Sequence, residues 1–456
     1  MMGAMSTSNP RRKRATQNAD HARRTHVPAP ADHEIEQRLT ELVQPAVFAE
    51  LAHYRSLGLR NRILTLPLMV ALVLTLIWRR VAGVCTLQRM LARERLLWAQ
   101  PTPVSQPALS DRFLEFPAEL FERILYRVVE QLPARAQARS RPLPLRLQPI
   151  AARFAACYAV DGTTLEALFR KLQALHEAPE APLGGHLVAA VDLVTHLPAK
   201  LWWADDSQTN DKALVPQVLD WLHTNTLLVV DLGYFAFGFF DALTTRGCWF
   251  VTRMREKTSY RVLKTLVNRP HVRDQVVQMG LYRSNPCVHA VRLIEVYVNG
   301  SWRRYLTNVL DPQQLSIVDV VVLYDCRWSI ESCFLQVKRL LDLAYLWVGG
   351  LNGVQLQVWA TFLFYAILID LCDDVAELLQ LPLETISVEM VYRGLYFYVQ
   401  AVSQGYTESA AEYLAEEAKG LGIVKRQRSR DGPTVSEQIR RALVAPPLPL
   451  GAEQTE

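Results

Sequence analysis

Two acids occupy matching places in the chain. Asp161 closes the apolar run Phe154 to Val160, and Asp231 closes the run Thr226 to Val230, 70 residues further on. Short apolar runs bounded by turn residues read as buried strands, and the carboxyl ends of strands are where α/β sheets present rigidly held side chains to solvent. A third acid sits in a different setting. Tyr324, Arg327, Glu331 and Lys338 fall at offsets 0, 3, 7 and 14 within a segment of helical spacing. At about 100° per residue they lie at about 0°, 300°, 340° and 320°, a stripe about 60° wide along about 21 Å of helix. Such a stripe offers a carboxylate to a metal, and two cations and a phenol to successive phosphates. Each element also has a plainer reading: an Asp at a strand end is an ordinary helix cap, and Arg327 with Glu331 an ordinary i, i+4 pair. Three carboxylates from two strand ends and a helix would form a hard oxygen set of the kind that holds Mg2+ or Mn2+. Two such ions about 3.5 to 4 Å apart activate an attacking water or hydroxyl and stabilise the leaving oxygen of an in-line displacement. The chemistry that follows is phosphodiester cleavage on nucleic acid.

The elements that must position these residues are legible along the chain. From about residue 151 strands alternate with helices: the run ending at Asp161, two strand-like runs within 186–206, helical spacing over 210–225, and the run ending at Asp231. A helix over 236–246 and a strand over 248–253 follow, which makes an α/β core. Val291 to Val298 then alternates, Asn299-Gly300 is a strong hairpin signal, and Trp302 to Val309 returns as the partner strand. A β-rich insertion, 259–309, therefore interrupts the core, which spans 151–258 and 310–375. Ile317 to Leu343 reads as one long helix carrying Glu331. Residues 34–150 read as a helical N-terminal domain. Within it Ser105 precedes a periodic apolar segment, so a DNA-binding helix-turn-helix is one reading. Pro133 to Pro149, with Arg135, Arg139, Arg141 and Arg146, reads as a linker. Residues 376–424 are helical, 1–33 are a flexible basic tail, and 425–456 are a basic then Pro-rich tail.

Composition sets outer bounds. A chain of 456 residues, half of them hydrophobic, holds ample core for more than one domain, which excludes a disordered tether. Fifty Lys and Arg against 45 Asp and Glu give +5, an excess that permits a polyanionic partner without demanding one. Seven cysteines, with no C-x-x-C, favour free thiols in a reducing cytoplasm over a disulfide framework or a structural zinc. The amino terminus carries Arg11, Arg12, Lys13 and Arg14 where a secretory signal would need an apolar run. Ile63 to Trp78 is apolar but shorter than the roughly 20 residues of a membrane span, and Val358 to Ile369 is shorter still, so both read as buried helices. G-x-x-x-x-G-K-[ST], H-E-x-x-H and a strand-to-helix G-x-G-x-x-G do not occur, so ATPase, zinc protease and Rossmann readings lack support.

Tyr324-x-x-Arg327-x-x-x-Glu331-x-x-x-x-x-x-Lys338 matches the Y-(2)-R-(3)-E-(6)-K signature of the DDE transposases of bacterial insertion sequences, the insertion sequence four group. Asp161-Gly162-Thr163 resembles the first aspartate motif of that family, Asp231-Leu232-Gly233-Tyr234 resembles its D-x-G-Y motif, and Phe250-Val251-Thr252-Arg253 its following F-V-x-R strand. The resemblance covers about 155 to 370. It implies an α/β fold with an RNase H-like mixed-sheet catalytic core interrupted by a β-rich insertion, plus helical N-terminal and C-terminal regions. It implies Asp161, Asp231 and Glu331 as catalytic metal ligands, with Mg2+ or Mn2+, two ions in all. Tyr324, Arg327 and Lys338 would contact phosphates at the transposon end. The DNA partners would be the terminal inverted repeats and a target duplex, handled by a homodimer in the bacterial cytoplasm, on the nucleoid, away from any membrane. Gly162 stands where many relatives have Ser. Some relatives pass through a DNA hairpin and hold a flipped base on an aromatic ring, a role for which Trp302 is the candidate here, beside its plainer reading as a cross-strand aromatic. Arg253, Arg255 and Lys257 would line the DNA path or form a solvated cluster. Asp192, Asp205, Asp206 and Asp325 match no catalytic position. The alternatives are a DNA-binding protein that has lost catalysis, another RNase H-like nuclease, and a membrane protein built on the two apolar runs.

Overall fold

In the computed structural model, residues 32–165, 185–206, 208–341, 343, 347, 350–426 and 432–448 are described. The basic tail expected over 1–33 lies outside the described residues up to position 31. One sheet organises the chain. Its strands are β1 (Ala156–Thr164), β2 (His186–Asp192), β3 (Pro198–Ala204), β4 (Thr226–Val230), β5 (Trp249–Arg253), β6 (Tyr260–Arg269), β7 (Val272–Met279), β8 (Val291–Val298) and β9 (Ser301–Thr307). They lie in the order β3-β2-β1-β4-β5-β9-β8-β7-β6. β1, β2 and β3 form an antiparallel meander, and β4 and β5 run parallel to β1. That half is the RNase H-like arrangement. Every residue of β4 is buried, as expected of a central parallel strand with helices on both faces.

The strands of 260–307 do not form a separate body. β9 pairs antiparallel with β5, Val251 opposite Thr307, so the insertion continues the core sheet outward through β8, β7 and β6. Asn299 and Gly300 join β8 to β9 with φ of 50° and 80°, the left-handed pair that a two-residue type I′ hairpin requires. A fully buried bidentate ion pair, Arg292 to Asp274 at 2.6 and 2.8 Å, joins β8 to β7, and the same guanidinium donates to the Leu315 carbonyl at 2.6 Å.

Helices cover the sheet and one another. Leu66–Trp78 buries its whole length apart from Pro67, which occupies the first turn, where a missing N–H costs nothing. Leu351–Leu378 is the central helix, packed against Ala118–Val129 and Leu66–Trp78. It is long and apolar enough to cross a bilayer, yet 94% of its most apolar window is buried inside the protein. Its acids are paired. Asp370 takes Arg38, Arg135 and Arg139, while Asp373 takes Arg139 at 3.1 Å and also Arg141. Three of the arginines read as a linker, Arg135, Arg139 and Arg141, are therefore clamps onto this helix, while Arg146 pairs with Glu384 at 2.5 Å.

Two elements differ from the reading of the sequence. Residues 425–456 were expected to form a tail, but Val435–Val444 is a helix, started by a Thr434/Glu437 capping box and docked through Ile439 and Ala442 against β7, β8 and the helix Ile317–Cys326. The expected single helix over 317–343 is instead Ile317–Cys326, then Trp328–Leu335, then a π turn, Gln336–Leu340. No Pro or Gly marks the joint at Arg327, where the backbone stays helical (φ −53°, ψ −31°).

Candidate active site

Strand register brings the first two acids together. Val160 of β1 lies opposite Val230 of β4, so the next residues stand at one level on neighbouring strands, about 4.8 Å apart along the sheet. Asp231 lies just past the end of β4, and Asp161 still within β1, which was expected to end there but runs on to Thr164 with Asp161 opposite Ala189 of β2. Asp161 accepts the Gly162 N–H at 2.9 Å. Asp231 accepts the Gly233 N–H at 2.7 Å and caps the turn Leu232–Tyr234, so the capping reading holds for it as well. Burial, then the neighbouring Asp231 charge, push the Asp161 carboxyl up to about 6 against the pull of Arg327. Crowded acids of this kind call for a cation.

The nearest third acid is one the sequence did not single out. One oxygen from each of Asp161, Asp211 and Asp231 lies within 4.8 Å of the others. Opposite ligands of a magnesium ion stand about 4.2 Å apart, so the set is a small side-chain rotation from a coordinating one. Asp211 opens the short turn Asp211–Leu214 behind its cap, Asn210. No motif marks it. The available signal lies beside the other two acids, in Gly162 and Gly233, whose missing side chains leave the room it uses.

Glu331 is outside that tight group, and Arg327 is the reason. Its Nη1 donates to Asp161 Oδ2 at 2.9 Å and its Nη2 to Glu331 Oε1 at 2.7 Å. The width of a planar guanidinium then keeps the two carboxylates within about 8 Å of each other. Tyr324 lies under the same guanidinium at 5.8 Å and edge-on to Tyr305 at 5.5 Å. Lys338, on the π turn, donates to Thr163 Oγ1 at 2.5 Å and to the Thr164 carbonyl at 2.9 Å, and burial lowers its pKa to about 8. The broken helix thus gathers the stripe residues at the end of β1.

The outer residues are placed less pointedly. Arg253 is exposed at the end of β5, opposite Tyr305 of β9, and Arg255 lies over the Phe235 ring at 5.3 Å. Trp302 faces Tyr297 across the hairpin, edge-on at 5.7 Å, with Arg273 at 5.2 Å over its ring. Asp192 and Asp206 cap turns, and Asp205 accepts the Trp203 indole N–H at 2.7 Å. Asp325 lines a separate cleft with Arg146 and Trp328.

Residues 153–367 match the family described as Transposase DDE domain. The chain is 24% identical over 286 residues, 61% of its own length and 70% of the relative's, to the probable transposase for insertion sequence element IS5377 of Geobacillus stearothermophilus. It is 21% identical over 187 residues, 39% of its length and 42% of the relative's, to the transposase InsG for insertion sequence element IS4 of Escherichia coli. Among solved structures it is similar to the piggyBac transposase synaptic complex with hairpin DNA, with a TM-score of 0.38 and 9% identity over 90% of each chain.

Proposed function

We propose that this chain, whose residues 153–367 match the Transposase DDE domain, is a transposase of the insertion-sequence kind that cuts and joins phosphodiesters at the terminal inverted repeats of its own element, with two divalent cations, Mg2+ or Mn2+, held by Asp161, Asp231 and Glu331. What carries the reading is the gathering of acids from β1 and from the turn just past β4, with Glu331 tied to Asp161 through Arg327. Bound cations supply an activated oxygen nucleophile and stabilise the leaving oxygen. The rest falls to the chain. Parallel strands hold Asp161 and Asp231 at fixed separation, and the helix Trp328–Leu335 presents Glu331. Arg327, once released by its two carboxylates, turns its fork to a phosphate of the element end, with Tyr324 flanking it and Lys338 adding a second cation. Arg253, Arg255 and Lys257 extend the basic surface along the duplex. Trp302 stacks on a base only by giving up Tyr297 and Arg273.

The core, 151–258 with 310–375, does the chemistry. The helical regions 34–150 and 376–424 buttress it and add DNA contacts. Two copies pair two element ends and present them to a target duplex, in the bacterial cytoplasm on nucleoid DNA. Incubating the purified chain with a labelled element end, with and without Mg2+, tests this. Nicked and joined products with Mg2+ and none in a chelator are expected; binding without cutting at any Mg2+ or Mn2+ concentration would leave a DNA-binding protein alone.

A further inference from the structure

Among the described residues, the three acids gathered closely enough to share a cation are not the three of the signature: Asp211 stands where Glu331 is held away. We propose that Asp211 is a fourth carboxylate of the cation site, held for that role by His186, and that Gly162 is the residue that admits it. The inference rests on the reading of the site given above. Space is the first ground. A Cβ at position 162 would lie 1.9 Å from Asp211 Oδ1 and 2.7 Å from His186 Nε2, so any side chain there expels the carboxylate. Gly162 has no positive φ, so the bare space and not the backbone conformation is what the glycine supplies here.

Orientation is the second. His186, on β2 opposite Thr164, is buried and brings Nε2 to within 2.5 Å of Asp211 Oδ1. Its Nδ1 is buried with no partner among the described residues, so the ring is spent on that one contact. One oxygen of Asp211 is thereby fixed, and Oδ2 lies on the side of Gly233 and Asp231. A ligand steadied from behind by a buried partner is how proteins build metal sites. The third ground is Tyr234, fully buried, its hydroxyl also unpartnered among the described residues. Tyr234 closes the short turn that Asp231 caps, and burial and then the charges of Asp211, Asp161 and Asp231 raise its pKa well above that of a free phenol. A hydrated cation would satisfy it. An acid kept only for stability has no reason to sit beside two others, because like charges at this spacing oppose folding.

The test uses the full-length, metal-stripped protein without DNA, with Mn2+ as the probe, bound Mn2+ followed by electron paramagnetic resonance. Asp211→Asn removes the charge while keeping shape and an acceptor for His186. The thermal midpoint of the metal-free variant is expected to equal or exceed that of the parent, while Mn2+ affinity falls about 10- to 100-fold. Gly162→Ala should lower Mn2+ affinity by the same route. If Asp211→Asn binds Mn2+ like the parent while Asp231→Asn does not, the role of Asp211 is overturned and the site stands. If Asp161→Asn, Asp231→Asn and Asp211→Asn all bind like the parent, the site itself is wrong. Should Asp211→Asn fail to fold, Asp211→Ser carries the same readout.

Discussion

Arg327 neutralises Asp161 and Glu331 at once, and so occupies the position a cation would take between them. Removing it should therefore favour metal and disfavour DNA. Arg327→Ala is expected to raise Mn2+ affinity in the absence of DNA by about tenfold, the effect of roughly 1.4 kcal/mol of relieved competition. The same change should weaken binding to the element end and lower its salt slope by about one. Unchanged Mn2+ affinity, by titration calorimetry, would show that Arg327 does not compete. Lys338 gives a pH signature. Burial depresses its pKa to about 8, so its charge is lost in the folded protein as pH rises through 8, well before an unfolded lysine would lose it. End affinity should fall severalfold between pH 7 and 9 in the parent and stay flat in Lys338→Arg. Folding stability runs the other way, because the cost of burying the charge fades above pH 8. At this scale Asp161 and Asp231 stand out by type and spacing, since each follows a short apolar run in the sequence, although β1 itself continues past Asp161 to Thr164. Asp211 does not. Its neighbours in the cluster lie 50 and 20 residues away in sequence, and only the fold brings them to it.

The helix carrying Glu331 shows what periodicity conveys and what it hides. Apolar spacing over 317–343 gives a helix, but nothing in residue type marks the joint at Arg327 or the π turn at Gln336–Leu340. The π turn adds a residue to the local repeat, which re-aims Lys338 toward Thr163; such turns recur at functional sites. Ion pairs at helix interfaces are equally hidden, because an arginine in a Pro-rich segment looks solvated until its partner is found. Arg139 spans Asp370, Asp373 and Asp374 at 2.7 to 3.1 Å. Burial pushes the Asp370 carboxyl up, but Arg135, Arg139 and Arg38 outweigh it and hold the group below its usual value. Arg139→Ala should cost about 3 kcal/mol by denaturant unfolding, the low end for an orphaned buried charge, because Arg38, Arg135 and Arg141 remain. A loss below about 0.5 kcal/mol would mean that the clamp is not needed.

Across the whole molecule, alternation identifies individual strands but not their neighbours. The hairpin β8–β9 is local and legible at Asn299-Gly300, whereas the pairing of β9 with β5 joins residues more than 50 positions apart and turns an insertion into an extension of the core sheet. The long apolar helix reads as buried in the sequence and is buried in the fold, against Ala118–Val129 and Leu66–Trp78. The protein should accordingly remain in the supernatant without detergent after high-speed centrifugation; sedimentation with membranes would contradict that packing. The central claim is that carboxylates from β1, β4 and the helix Trp328–Leu335 act as one cation-holding unit. The most direct measurement is the cutting rate of a labelled element end in Mg2+ by Asp161→Asn, Asp231→Asn and Glu331→Gln beside the parent, with end binding measured on the same preparations. Each substitution should lower cutting by about a thousandfold or more, the rate equivalent of several kcal/mol of lost metal stabilisation, while binding persists. Cutting at the parental rate by any of the three would contradict the account.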